Sequence, residues 1–381
     1  MEQLEREPLA SDFKACKSNW IKFSKKELSL LPHNTTHYQW KDYCPAVFRH
    51  IRQIGNIDFA DYMPSVCCGE TLSAVFAPGK CSSPIFLSMD DRFALKILKK
   101  SEMKVWLNML PNYYKHIKKY ESSLFVKLYG LHVVRPAGGV KVYFAVMSNL
   151  LQSDLSINKC YDLKGTPKGR TLNRGVGHEQ QAILKDQDLE FYFYLDPLVR
   201  ARLLAQIKYD CEFLESEGIM NYSLLLGIHM QAPQTSLEES SFEGSIISCT
   251  TEETQENDEE TCDPENTDDS ELTLADLCST PGRSNLQFGA KMPARSVQIP
   301  VNEMGSMSFE RTLKAEGCQE VFLYFGIVDC VKHYSMIKRF EHAYKSIQYD
   351  SISIPAVNPK AYSTRFQEFC SNIFRDEKEL E

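Results

Sequence analysis

The chain has 381 residues, 43% hydrophobic and 25% charged, enough for two or three domain-sized units and a substantial core. No stretch approaches the roughly 18 consecutive apolar residues of a membrane-spanning helix, which excludes an integral helical membrane protein, and the acidic start MEQLEREPLA lacks the features of a secretory leader, so the expected location is inside the cell. The formal charge of -8 conceals a split, because residues 231–280 hold 15 acidic and no basic side chains, leaving 43 basic against 36 acidic residues elsewhere. A basic body with an acidic appendage permits an anionic membrane or polyphosphate partner. The 13 scattered cysteines show neither a disulfide framework nor zinc-ligand spacing.

In chain order, FLSMDDRFALKIL (86–98) reads as a hairpin in which Phe93, Leu95 and Ile97 alternate with Lys96 on the opposite face. Ser101 is expected to cap a helix SEMKVWLNMLP that ends near Pro111, with a second helix starting soon after. VYFAVM (142–147) reads as a buried strand that leaves toward a polar connection. Asp196 and Pro197 mark a helix start, Leu203, Ile207, Cys211 and Leu214 follow at helical spacing, and Gly218 ends it. IMNYSLLLGIH (219–229) reads as a loop and then a strand.

Residues 231–317 are rich in Ser, Thr, Asp, Glu and Pro, and TEETQENDEETCDPENTDDSE offers nothing from which to build a core, so the interval is expected to be a disordered acidic insertion. Beyond it, EVFLYFGIVD reads as a buried strand ending at Asp329, and HYSMIKRFEHAYKSI as an amphipathic helix. Mixed strands and helices across an interrupted body indicate an α+β or α/β fold, and spacing alone leaves the topology open.

A strand lysine, Lys96, a strand-end carboxylate, Asp329, and the turn APGKCSSP with Lys80 are together consistent with nucleotide phosphates and Mg²⁺: an amine neutralises phosphate and a carboxylate oxygen suits a hard cation. Each residue also has a plain reading, as a salt-bridged strand lysine, a turn carboxylate or an exposed loop. YDLKGTPKGR (161–170) gathers Lys164 and Arg170 into a basic segment suited to a phosphorylated ligand. Lys338, Arg339 and Lys345 give the last helix a basic face that fits either an anionic lipid surface or solvent. Aromatic platforms for single-stranded nucleic acid are not apparent, and no nucleic acid is expected.

WKDYCP (40–45), DDRFALKILKKSE (90–102), YDLKGTPKGR, ILKDQDL (183–189), GIMNYSLLLG (218–227), YFGIVD (324–329), KRFEHAYKS (338–346) and IPAVNPKAYSTRF (354–366) together resemble the phosphatidylinositol phosphate kinase family. The resemblance is strongest to plant type I-like phosphatidylinositol 4-phosphate 5-kinases without amino-terminal repeats. It implies an α+β, two-lobed phosphatidylinositol phosphate kinase fold with a disordered acidic insertion. Residues 1–30 would be an extension and the start of the folded region, 31–150 the amino-terminal lobe and hinge, 151–230 and 318–375 the two parts of the carboxy-terminal lobe, and 376–381 a tail. By the same resemblance the cofactors are ATP and Mg²⁺. Lys96 and Lys80 would meet ATP phosphates, Met147 to Leu150 would form the hinge beside adenine, and Asp329 would bind the metal. Lys164, Arg170, Lys338, Arg339, Glu341 and Lys345 would face the substrate, with Glu341 matching the pattern for phosphatidylinositol 4-phosphate. That lipid would be met in an anionic membrane surface, at the cytoplasmic face of the plasma membrane. Two departures stand out: Ser82, Ser83 and Pro84 occupy the phosphate-facing loop, and Asn221 in MNYSLL replaces the family's catalytic Asp. A neutral amide does not take up a hydroxyl proton as a carboxylate does, so a weakened phosphoinositide-binding or scaffold protein is the alternative implied.

Overall fold

The computed structural model describes residues 6–14, 20–23, 37–67, 73–76, 83–166, 170–171, 183–231, 288–299, 318–334 and 358–380. Two sheets dominate. Strands β1 (Ile21–Phe23), β2 (Tyr38–Asp42), β3 (Ser73–Phe76), β4 (Ile85–Leu87), β5 (Phe93–Leu98), β6 (Leu128–Pro136) and β7 (Val142–Ser148) form a seven-stranded sheet in the order β1-β2-β6-β7-β5-β4-β3. Strands β8 (Lys159–Leu163), β9 (Phe191–Leu195), β10 (Ser223–Met230), β11 (Met292–Gln298), β12 (Gln319–Val328) and β13 (Phe374–Asp376) form a six-stranded sheet in the order β13-β9-β11-β12-β10-β8. The pairs are antiparallel except β13 with β9. The α+β class and two-lobed plan expected from the sequence are observed. The amino-terminal sheet begins at Ile21, inside the interval 1–30.

The β4–β5 hairpin forms as expected, pairing Ile85 with Lys96 and Leu87 with Ala94. Phe93 and Leu95 are buried on one face, while Ala94 and Lys96 point to the other, toward a cleft. Helix α1 (Pro45–Ile54) has Pro45 in its first turn and buries Val47, Phe48 and Ile51. It packs on β6.

Helix α3 (Lys100–Lys119) corrects the expectation around Ser101 and Pro111; α2 (Phe59–Cys67) precedes it. The cap is Lys99, whose amide donates to the Glu102 carboxylate at 2.8 Å. Pro111 lies inside one continuous helix rather than at its end. An interior proline costs about 3 kcal/mol, but Trp106, Met109, Leu110, Tyr113 and Ile117 are buried on either side of it. Each fully buried large side chain is worth about 1.5–3 kcal/mol, so the packing outweighs the break.

Helix α4 (Pro197–Ser216) starts where the sequence indicates, with the Asp196 carboxylate accepting from the amides of Leu198 at 2.9 Å and Val199 at 3.1 Å. Leu203, Ile207, Cys211 and Leu214 are buried, and Gly218 closes the helix with φ 66°. Helix α5 (Pro359–Ile373) packs against α4 and β13.

The interval expected as disordered, 231–317, contains a strand of the central sheet. Met292–Gln298 is β11, hydrogen-bonded between β9 and β12, with Met292, Ala294 and Ser296 buried and Pro293 and Arg295 exposed. This period-2 alternation is the pattern of a half-buried strand. Gly289 leads into it at φ 84°, where an added Cβ would lie 2.2 Å from the Phe325 carbonyl oxygen. The acidic run itself lies outside the described residues, as does the helix expected over 333–347 apart from its first two residues, His333 and Tyr334, which are not helical.

Candidate active-site cleft

The two sheets face a common cleft, and its walls are tied together. Leu124 and Val126 pair with Ile327 of β12, through Ile327 N to Leu124 O at 2.7 Å and Val126 N to Ile327 O at 3.0 Å. Below this seam, Asp210 of α4 is fully buried and accepts from His116 of α3 at 2.6 Å, Ser123 at 2.9 Å, the Leu124 amide at 2.8 Å and Gln206 at 3.0 Å. One carboxylate thereby joins a helix of each lobe.

Between the lobes lies a cavity of about 910 Å³. Ile85, Leu87 and Ala94 form its roof, Leu225 and Val328 contribute to its floor, and Met147 to Leu150 run along it as the strap between lobes. An apolar slot beside exposed backbone suits a flat heterocycle. Farther in, the lining becomes polar, with Lys96, Asp329, Asp162 and Lys185.

Lys96 of β5 and Asp329, just past β12, are in direct contact across the cleft as ammonium and carboxylate. Burial raises the Asp329 pKa, but the Lys96 and Lys164 ammonium groups outweigh it and hold the carboxyl below its ordinary value. Asp329 has φ 64°, a left-handed conformation that Asp tolerates better than most residues. Two residues 233 positions apart thus form one charged pair.

The basic segment after β8 is held from behind by Asp186, whose side chain is only 4% exposed. Its Oδ1 accepts from the amides of Lys164 at 2.6 Å and Gly165 at 2.7 Å, and its Oδ2 accepts from Arg170 at 2.6 Å. Arg170 reaches Asp162 at 2.9 Å with its other nitrogen, and Lys185 donates to the same Asp162 oxygen at 2.8 Å. Burial raises the Asp162 pKa, yet Lys164 and Lys185 hold it down at about 2. Gly165 has φ 65°, and a Cβ there would sit 2.7 Å from Phe369 Cβ on α5, so the segment turns tightly against that helix.

Lys164 and Arg170 therefore lie where the basic segment was expected, but neither lines the cavity. Lys164 instead donates to the Asn221 carbonyl oxygen at 2.6 Å, and burial lowers its pKa. Asn221 has φ 64° and is likewise not among the lining residues. Ser83 lines the cavity. Lys80, Lys338, Arg339, Glu341 and Lys345 lie outside the described residues. Three residues of this site were not singled out from sequence: Asp162, Lys185 and Asp186. Their signal was acidic and basic residues alternating in YDLKGT and ILKDQDL, in segments far enough apart that no spacing rule joined them.

Among the described residues no group of three or more His, Cys, Asp or Glu converges as a metal cage. A Mg²⁺ ion needs less from the protein, taking one or two carboxylates and filling its octahedron with phosphates and water. Asp329 and Asp162, lining one polar recess, fit that role.

The family model described as phosphatidylinositol-4-phosphate 5-kinase matches residues 66–373, spanning both sheets and the cleft between them. The chain belongs to that family. It is 42% identical over 420 residues to phosphatidylinositol 4-phosphate 5-kinase 10 of Arabidopsis thaliana, an alignment covering 97% of both chains. It is 40% identical over 404 residues to phosphatidylinositol 4-phosphate 5-kinase 9 of the same plant, covering 97% of this chain and 48% of that longer one.

Proposed function

We propose that the chain is a lipid kinase that transfers the γ-phosphate of ATP to the inositol 5-hydroxyl of phosphatidylinositol 4-phosphate. The Lys96–Asp329 pair at the polar end of an apolar slot, in a chain of this family, carries the reading. Adenine would lie between Ala94 and Leu225 against the 147–150 strap, leaving the phosphates at Lys96. Lys96 would exchange its carboxylate partner for phosphate oxygens, freeing Asp329 to hold the metal. Bound Mg²⁺ would neutralise charge on the β- and γ-phosphate oxygens. The chain's own contribution is then alignment and electrostatic stabilisation, which carry most of the catalysis in phosphoryl transfer.

Asn221 supplies no base, since an amide nitrogen or oxygen does not accept a proton near neutral pH. Transfer is accordingly slower than with a carboxylate at that position, and Asn221→Asp raises kcat by about 10²- to 10⁴-fold if the new group reaches the hydroxyl. The weakened-scaffold reading rests on this residue and on Ser82, Ser83 and Pro84 in the expected phosphate-facing loop, and the Lys96–Asp329 pair speaks against it. No helix among the described residues is long and apolar enough to cross a membrane, so the lipid would be met at the surface of a bilayer by a peripheral protein. Radiolabelled ATP with vesicles containing phosphatidylinositol 4-phosphate tests the reading: labelled bisphosphate supports it, and ATP binding without lipid labelling supports the scaffold instead.

A further inference from the structure

The loop between α4 and β10 carries Asn221, and its backbone is pinned at successive residues. Ile219 bridges His333, and the Met220 amide donates to the Lys332 carbonyl at 3.0 Å. The Asn221 carbonyl accepts from Lys164 at 2.6 Å, and the Tyr222 carbonyl accepts from the Tyr362 hydroxyl. Ser223 then opens β10 opposite Val328, the residue before Asp329. The loop therefore ends beside the carboxylate of the Lys96–Asp329 pair. Asn221 stands at φ 64°, a left-handed conformation that persists only where its surroundings impose it. The direction of a carbonyl is the direction of its peptide plane, so the contacts at 221 and 222 fix the two planes that follow the Asn221 side chain.

Those two contacts differ in kind. Lys164 belongs to the basic segment, and its ammonium also feels Asp162 and Asp329, so it responds to any charge that enters the cleft. Tyr362 lies on α5, is 1% exposed and is not among the residues lining the cavity. Its ring meets the Tyr222 ring at 4.7 Å and 75°, and Tyr222 meets Phe366 of the same helix at 5.0 Å and 74°. The Arg365 guanidinium covers the Tyr362 ring at 5.0 Å. The helix itself is anchored by its Asn358 cap, which accepts from the Ala361 amide at 2.8 Å, and by buried Phe366, Cys370 and Ile373. Burial pushes the Tyr362 phenol well above its ordinary pKa, so the hydroxyl remains a donor at any working pH.

We propose that Tyr362 is a positioning residue for phosphate transfer: its hydroxyl holds the Tyr222 carbonyl and thereby fixes where the side chain at position 221 points. This rests on the lipid-kinase reading. An asparagine at that position orients the acceptor hydroxyl through its side-chain oxygen, which accepts a hydrogen bond without taking the proton. Displacing such a group by about 1 Å costs on the order of 10²-fold in rate. Tyr362 acts through the loop and touches no substrate.

The test measures transfer from ATP to phosphatidylinositol 4-phosphate vesicles by native protein, Tyr362→Phe, Asn221→Asp and the double variant, each normalised to the ATP-binding sites counted by titration. Tyr362→Phe keeps the ring and its packing and removes only the hydroxyl. It is expected to lower kcat by about 10-fold, with KM for ATP and for the lipid within about twofold of native. The gain from Asn221→Asp should shrink in the Tyr362→Phe background by about 10-fold, because a proton-accepting carboxylate depends on its placement. A native kcat in Tyr362→Phe overturns the assignment, as does a loss confined to KM or to the number of ATP-binding sites. An equal factor from Asn221→Asp in both backgrounds also overturns it, because the hydroxyl would then act independently of position 221. Native protein and Asn221→Asp that bind ATP and label no lipid overturn the kinase reading itself, and the assignment with it.

Discussion

Replacing Asp186 by alanine removes the group that shapes the basic segment while touching neither Lys96 nor Asp329. Three close donors lose their acceptor: the amides of Lys164 and Gly165, at 2.6 and 2.7 Å, and one Arg170 nitrogen at 2.6 Å. A buried donor left without a partner costs about 1–3 kcal/mol, and more when charged, so a loss on the order of 4 kcal/mol follows once water reaching the loop is allowed for. Arg170 keeps Asp162, which limits the damage to one side of the lattice. Asp186→Asn retains one oxygen for the amides but turns a nitrogen toward the guanidinium, and should lose about half as much. Urea denaturation followed by intrinsic fluorescence reads the stability, and steady-state kinetics read the site. The expected pattern is a lower midpoint, a raised KM for the lipid and a nearly unchanged KM for ATP. An Asp186→Ala protein within about 1 kcal/mol of native stability, with native lipid kinetics, would refute the claim that this carboxylate organises the segment.

Asp210→Ala strands four donors at the junction of α3 and α4 and should destabilise by about 3–5 kcal/mol, measured as a drop in thermal midpoint. Gly289→Ala combines a positive φ with a Cβ placed 2.2 Å from a backbone oxygen, so a loss of about 3 kcal/mol or more is expected in the same assay. Asp162 has its pKa depressed to about 2 in the fold, so its contribution is complete above the unfolded value near 4 and vanishes as pH falls through 2. Acid titration of stability should therefore be flatter for Asp162→Asn than for native protein over that window, by about 2 kcal/mol in total.

Much of the architecture was legible because it rests on local signals. The Asp196-Pro197 start, the alternation around Lys96 and the apolar run ending at Asp329 each encode an element within a few residues. The failures came where tertiary burial overrode a local rule. Pro111 is a helix breaker by propensity, yet it sits among buried Trp106, Leu110 and Tyr113. Met292–Gln298 was absorbed into an acidic, Ser-rich interval by composition, although its own alternation was that of a strand. At the site, Lys96 and Asp329 were readable individually, whereas the lattice of Asp162, Lys185, Arg170 and Asp186 was not. It exists only because β8 and the segment after it fold beside residues 183–188, and nothing in residue spacing announces that meeting. Asn221 was visible as a departure, but its carbonyl contact with Lys164 was not.

The central claim is that Lys96 and Asp329 form the working centre of a lipid kinase. Its most direct test is Mg²⁺-dependent transfer from radiolabelled ATP to phosphatidylinositol 4-phosphate vesicles by native protein, Lys96→Ala and Asp329→Ala, with the labelled ring position determined. The account predicts label on the 5-hydroxyl with native protein, reduced by about a hundredfold or more in each variant. Equal transfer by native protein and both variants, or none by native protein even with Asn221→Asp, would contradict it.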